Sequence, residues 1–190
     1  MNYYNEIKNE LINNEINRKV KSYSINRNDL NSYYNVGKLL LDAGNQYGES
    51  IIKELNIDDN KLYFLQTKEY ENENDNSNVI YTELNGYKFM FMGDAGVDKE
   101  KDILDKYNLS SVDVLKVGHH GSKTSSSKEF INEINPKNSI ISVGKNNRYG
   151  HPKESVLNTL KNSKIHRTDR DRSIEIWINK HNRKIKTYSP

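Results

Sequence analysis

From residue 78 to residue 167 the chain alternates short apolar runs with segments of helical periodicity, and this alternation constrains its fold more than any other feature. NVIYTEL and YKFMFM flank Asn85-Gly86, a dipeptide suited to the left-handed positions of a two-residue hairpin turn. YKFMFM is apolar at both parities, which predicts a central strand covered on two sides. A helix over 98–107 with Asp98 as its N-cap follows, then a buried strand over VDVLKV, residues 112–117. Ser126 and Glu129 stand at capping-box spacing and predict a helix over SKEFINEI. SIISV (139–143) reads as the next strand, and Pro152 suits the first position of a helix that continues through ESVLNTLK. KIHRT, the strictly alternating SIEIWI, and RKIKTY carry the strand pattern to the end. Such alternation predicts an α/β class with helices covering sheet faces.

The first part of the chain is less decisive. Ile7, Leu11, Ile12, Ile16 and Val20 fall at helical spacing within residues 3–20, and residues 21–36 read as a polar, aromatic loop. LLLDAGN fits either a buried strand ending in Asp42 or a helix stopped by Gly44. SIIKEL (50–55) predicts a helix, KLYFLQT (61–67) a strand, and residues 69–78 an acidic, Asn-rich loop. No repeat and no clear linker interrupts the 190 residues, so one domain over 1–190 is expected.

Composition removes several functional classes. There is no cysteine, so disulfides and thiolate metal sites are excluded and any metal must use imidazole and carboxylate ligands. The 29 basic and 26 acidic residues leave a net charge of +3, too weak a bias to argue nucleic-acid binding from charge alone. No apolar run approaches the ~20 residues that span a bilayer. The N-terminus shows neither an apolar signal core nor a cleavage site, which predicts a soluble, cytoplasmic chain.

Three polar clusters fall at equivalent places in the pattern. Asp94 follows YKFMFM, His119 and His120 follow VDVLKV, and Asn146, Asn147 and His151 follow SIISV, each cluster accompanied by glycines. Ligands of open α/β sheets gather at the carboxyl ends of strands. A carboxylate with two or three imidazoles is a usual donor set for zinc or manganese. Each residue also has a plainer explanation: Asp94 as a turn residue or cap, the His pair as a solvated loop, His151 as the entry to a helix. The coincidence at three successive strand ends favours a shared metal or substrate site. His166 and His181, in a presumed strand and a polar turn, are expected to be structural.

The run GDAG, then LKVGHHGSKTSSS, then IISVGKNNRYGHP, then a helix and RTDRD, resembles the metallo-β-lactamase-like domain of the ComEC competence family. The resemblance is close over residues 69–178, while residues 1–68 diverge. It implies an αββα sandwich of two sheets with outer helices and a divalent metal site at one sheet edge. It further implies metal-dependent hydrolysis of DNA phosphodiesters, in a domain attached to a membrane channel for DNA uptake and lying outside the cytoplasmic membrane. Asp94 matches the carboxylate that bridges two ions, and His119 matches a late histidine ligand. His120 and His151 can take that role or meet substrate phosphate. Lys116, Ser122, Lys123 and Asn147 would contact phosphate or support the ligands.

The family's HxHxDH-like run has no counterpart, since no histidine precedes His119. The chain thus resembles the second half of that domain. This predicts weak metal binding, together with self-association, pairing with an N-terminal piece, or marginal stability. LLLDAGNQYGES echoes an early Asp-x-Gly strand end of the family, but in a displaced position, which leaves Asp42 without an assigned role. Arg172 stands where the family usually has glycine. A non-catalytic DNA-binding or assembly module is the alternative, with Lys161, Lys164, Arg167, Arg170, Arg172, Arg183, Lys184 and Lys186 available to phosphates.

Overall fold

The computed structural model describes residues 5–11, 54–57, 60–178 and 182–188. The chain falls into two compact units, residues 1–59 and 60–190. In the first, residues 5–11 form helix α1, as the spacing of Ile7 and Leu11 predicts, and Ile7 is fully buried. Strand β1 (Glu54–Ile57) takes residues that the SIIKEL pattern assigned to a helix. Short apolar runs of this kind are ambiguous by periodicity alone. Most of 3–20, the loop over 21–36, and LLLDAGN with Asp42 lie outside the described residues.

In the second unit, β2 (Asn60–Phe64) pairs antiparallel with β3 (Ile80–Leu84), and β3 pairs antiparallel with β4 (Tyr87–Phe91). The β3–β4 turn is Asn85-Gly86, with φ of 50° and 78°, the left-handed pair that matches strand twist. Strands β5 (Val114–Lys116), β6 (Asn138–Ile141) and β7 (Lys164–Arg167) then add one after another, each parallel to its predecessor. Helices α2 (Val97–Lys106), α3 (Lys128–Ile134) and α4 (Glu154–Thr159) make the crossovers. The short helix α5 (Thr168–Asp171) leads into β8 (Ser173–Ile178), which forms a separate two-stranded sheet with β9 (Arg183–Tyr188).

One core cluster holds Ile103 of α2, Phe130 and Ile134 of α3 and Val156 of α4 together with Met90, Leu115 and Ile141 of the strands. The three helices therefore cover one sheet face, as successive right-handed crossovers in one direction require. Each such fully buried side chain contributes roughly 1.5–3 kcal/mol. The other face of β4 carries Tyr87, Phe89 and Phe91. Phe89 is buried, but Phe91 is 42% exposed, so cover on the second side is partial where the strand ends.

Three helix starts differ from expectation: α4 begins at Glu154 with Lys153 as its N-cap, so Pro152 precedes the cap and does not open the helix. The N-cap of α2 is Gly96, and Asp98 sits inside the first turn, where its charge still favours the helix dipole. The N-cap of α3 is Ser127, whose side chain accepts from the Phe130 amide at 3.2 Å. Ser126 is left-handed instead, and the amides of Ser126 and Ser127 donate to the buried carboxylate of Glu100 on α2. A carboxylate from another helix thus does the work expected of Glu129.

Candidate active-site edge

The parallel register places Phe91, Lys116 and Ile140 side by side, so the segments that leave β4, β5 and β6 emerge at one sheet edge. Those segments carry Asp94, His119 with His120, and the 144–151 loop. Their backbones are fastened to one another. The His119 amide donates to the Gly93 carbonyl at 3.0 Å, and the Lys153 amide donates to the Gly121 carbonyl at 2.9 Å. Gly93 has φ +58°, and a Cβ there would lie 2.9 Å from Ser77 Cβ, so only glycine lets the turn pass. Ser77 Oγ accepts from the Asp94 amide at 3.0 Å and fixes the start of that loop.

His119 and His120 occupy consecutive left-handed conformations, with φ of 43° and 54°. Two non-glycine residues in that region cost roughly 1 kcal/mol each. This strained turn sends the two rings to different partners. His120 Nδ1 lies 2.7 Å from the Ser142 carbonyl oxygen and therefore carries a proton, and Nε2 lies 3.7 Å from Asp94 Oδ1. His119 Nδ1 lies 3.4 Å from Thr124 Oγ1, and its ring meets that of His151 edge-on at 6.1 Å.

His151 is held by Asn147, whose Oδ1 accepts from the His151 amide at 2.9 Å and whose Nδ2 donates to the His151 carbonyl at 2.8 Å. Its ring stacks on Tyr149 at 5.8 Å, and its Nδ1 is buried with no hydrogen-bond partner. Burial lowers the His151 pKa, and the neighbouring charges of Lys153, His119 and His120 push the same way. Lys116 is half-buried and donates to the Val117 carbonyl at 3.0 Å. Burial lowers its pKa while Asp94 pulls in the opposite direction. Ser122 is buried and faces Thr124 Oγ1 at 3.0 Å, whereas Lys123 is exposed.

The structure thus brings Asp94 and His120 to one point and sets His119 beside His151 as a second pair. The side-chain amide of Asn147 is engaged in shaping its own loop. Ser142, Thr124, Tyr149 and Glu100 also build the site, and the sequence pattern did not point to them. For Glu100 a signal existed: it lies three residues before Ile103 on the core face of α2. Ser142 acts through its backbone carbonyl, which no residue pattern marks.

A divalent ion needs three protein donors in an open catalytic site and four in a closed structural one. Asp94 and His120 direct two donors to one gap, and the Nδ1–H bond from His120 to a carbonyl is the support a ligating imidazole usually has. No third donor joins them: among the described residues no group of three His, Cys, Asp or Glu side chains is placed to hold a metal ion. These residues do not fit a complete metal centre.

The model of the metallo-β-lactamase superfamily matches residues 5–145. The chain belongs to that superfamily. Its α/β architecture, with an open sheet and clustered loops at one sheet edge, is of the metallo-β-lactamase type. Among curated relatives it is 42% identical over 105 residues to ComE operon protein 3 of Bacillus subtilis, a match covering 54% of this chain and 14% of that protein. It is 36% identical over 121 residues to competence protein ComA of Neisseria gonorrhoeae, covering 60% of this chain and 17% of that one. It is also 36% identical over 88 residues to recombination protein 2 of Haemophilus influenzae, covering 46% and 11%. The matches span less than a fifth of each relative. This superfamily member is therefore linked to competence proteins through one limited region of each. Among the described residues no helix is long and apolar enough to cross a membrane.

Proposed function

We propose that the chain is a DNA-engaging module from the competence branch of the superfamily, presenting the edge built by Asp94, His119, His120 and His151 to a phosphodiester. By itself it binds without cutting. The observation that carries this reading is the pairing of donors: His120 Nε2 stands 3.7 Å from Asp94, and no third ligand completes the set among the described residues. A phosphodiesterase of this superfamily would need further donors for manganese or zinc, supplied by a second copy or a companion chain. The exposed Lys123, in the loop that follows His119 and His120, is suited to meet a phosphate oxygen.

The test combines two assays on the full chain. Fluorescence anisotropy with a labelled DNA oligonucleotide is expected to show binding that weakens steeply with salt. Incubation with manganese or zinc is expected to leave the DNA uncut. Metal-dependent cleavage that disappears in Asp94→Ala would show a self-sufficient nuclease and overturn the non-cutting part of the proposal. Absence of binding at low salt would overturn the assignment to DNA.

A further inference from the structure

The β8–β9 hairpin displays aromatic and basic side chains on one face. Its register pairs Trp177 with Lys184, Glu175 with Lys186, and Ser173 with Tyr188. Paired residues share a face, so these six side chains lie together. All six are exposed, whereas Ile174, Ile176, Ile178, Arg183 and Ile185 are half-buried on the other side. Trp177 is 59% exposed and Tyr188 45%, unusual for the chain's one tryptophan in a strand that has an apolar face available.

The rings are fixed in position. Glu175 Oε2 accepts from Trp177 Nε1 at 3.0 Å and from the Tyr188 hydroxyl at 2.8 Å. One carboxylate therefore holds both polar tips and leaves both rings exposed, with Lys186 over one face of Trp177. The hairpin is itself anchored: Arg183 lies 3.3 Å from Asp113 and 5.2 Å from the Tyr87 ring centroid. The cations near the C-terminus separate accordingly. Arg167 is committed to Asp169 at 2.6 Å and Arg183 to Asp113, while Lys184 and Lys186 flank the open rings. The Lys186 ammonium stands 5.3 Å from the Trp177 ring centroid, positioned to move from the ring to a phosphate.

We infer that this hairpin face is a stacking platform for single-stranded DNA, with bases on Trp177 and Tyr188 and backbone phosphates on Lys184 and Lys186. Pre-oriented aromatic faces bordered by lysines suit unpaired bases, whereas in a duplex the base faces are stacked and inaccessible. Trp177 and Tyr188 are four strand positions apart, roughly 13 Å at ~3.3 Å per residue, so one short strand can reach both. The inference rests on the DNA reading above for the choice of nucleic acid, and it adds strandedness and a second contact surface.

The lone tryptophan makes the test direct. Titration of the full chain with a short oligothymidylate is expected to quench Trp177 emission saturably, and a duplex of equal phosphate content is expected to leave it nearly unchanged. Trp177→Ala should weaken oligothymidylate binding by about ten-fold, the lower range of one base–aromatic stack. Trp177→Phe should retain most of the affinity. Lys184→Ala and Lys186→Ala should each reduce the slope of log K against log salt by roughly 0.7. DNA binding without quenching, and unchanged in Trp177→Ala, would overturn this inference and leave the edge proposal intact. No DNA binding at all would overturn both. Quenching that follows protein concentration in the absence of DNA would mark self-association of the face and would also overturn it.

Discussion

Gly121→Ala should separate the cost of a turn's conformation from the cost of a close contact. Gly121 has φ +81°, and a Cβ there would stand 2.6 Å from Pro152 Cβ and 3.1 Å from Pro152 Cα. Ordinary carbon contacts lie near ~3.5–4 Å, so the proline must move by about 1 Å. That movement strains the Lys153-to-Gly121 hydrogen bond of 2.9 Å and the Asn147 clasp on His151. The left-handed φ costs roughly 1 kcal/mol and the overpacking a further ~1–3 kcal/mol. At ~2–4 °C per kcal/mol for a chain of this length, the melting temperature should fall by about 5–15 °C. Gly86→Ala is the matched control, because its φ is +78° and nothing lies within 4 Å of the added carbon. It should lose only the conformational part, about 1 kcal/mol. Urea unfolding of the two variants beside wild type measures the difference. Equal losses in both would refute the argument that the HHGS turn is wedged against Pro152.

Arg172 sits at φ +53°, ψ −113°, a conformation dominated by glycine, so Arg172→Gly should raise stability by about 1 kcal/mol, read as a higher urea midpoint with unchanged slope. His151 and His166 both have lowered pKa values, mainly through burial, so the unfolded chain binds more protons than the folded one once pH falls below ~6.5. Their contribution is therefore intact above that pH and lost as pH drops toward the folded values. Melting temperatures recorded from pH ~7.5 to ~5.5 should fall, and less steeply in His151→Asn, by this sign of linkage. Asp113 accepts from the Lys88 amide at 2.9 Å and from Lys137 Nζ at 2.8 Å, and it faces Arg183 across 3.3 Å. Asp113→Ala should cost about 2–3 kcal/mol in urea unfolding, since the Lys88 amide and the Lys137 ammonium lose their acceptor and Arg183 its ion-pair partner.

What the sequence made legible was local. Asn85-Gly86 and its flanking strands could be read because the turn's left-handed geometry narrows the choice of residues so strongly. The strand-end clusters could be read because parallel strands all point their carboxyl ends one way. Ser127, one residue beyond the expected cap, could not be separated from Ser126 by spacing, since the deciding group is Glu100 on another helix. Nor could the division of the site into an Asp94–His120 pair and a His119–His151 pair be read. It depends on two successive left-handed residues and on the Ser142 carbonyl, neither of which leaves a mark in residue type. Arg172 shows the reverse case: the resemblance singled out the position, and its positive φ supplies the physical reason.

The order of strands β2 to β7 is the order in which they occur in the chain. During synthesis each strand from β3 onward meets a neighbour that has already been made, so the sheet can lengthen from one side without waiting for a distant partner. Loop closures remain short, and folding should be quicker than in a sheet whose central strand arrives last. The same wiring limits damage. A late stall in translation would leave the β2–β4 meander and any completed crossover already paired, with one growing edge exposed at a time.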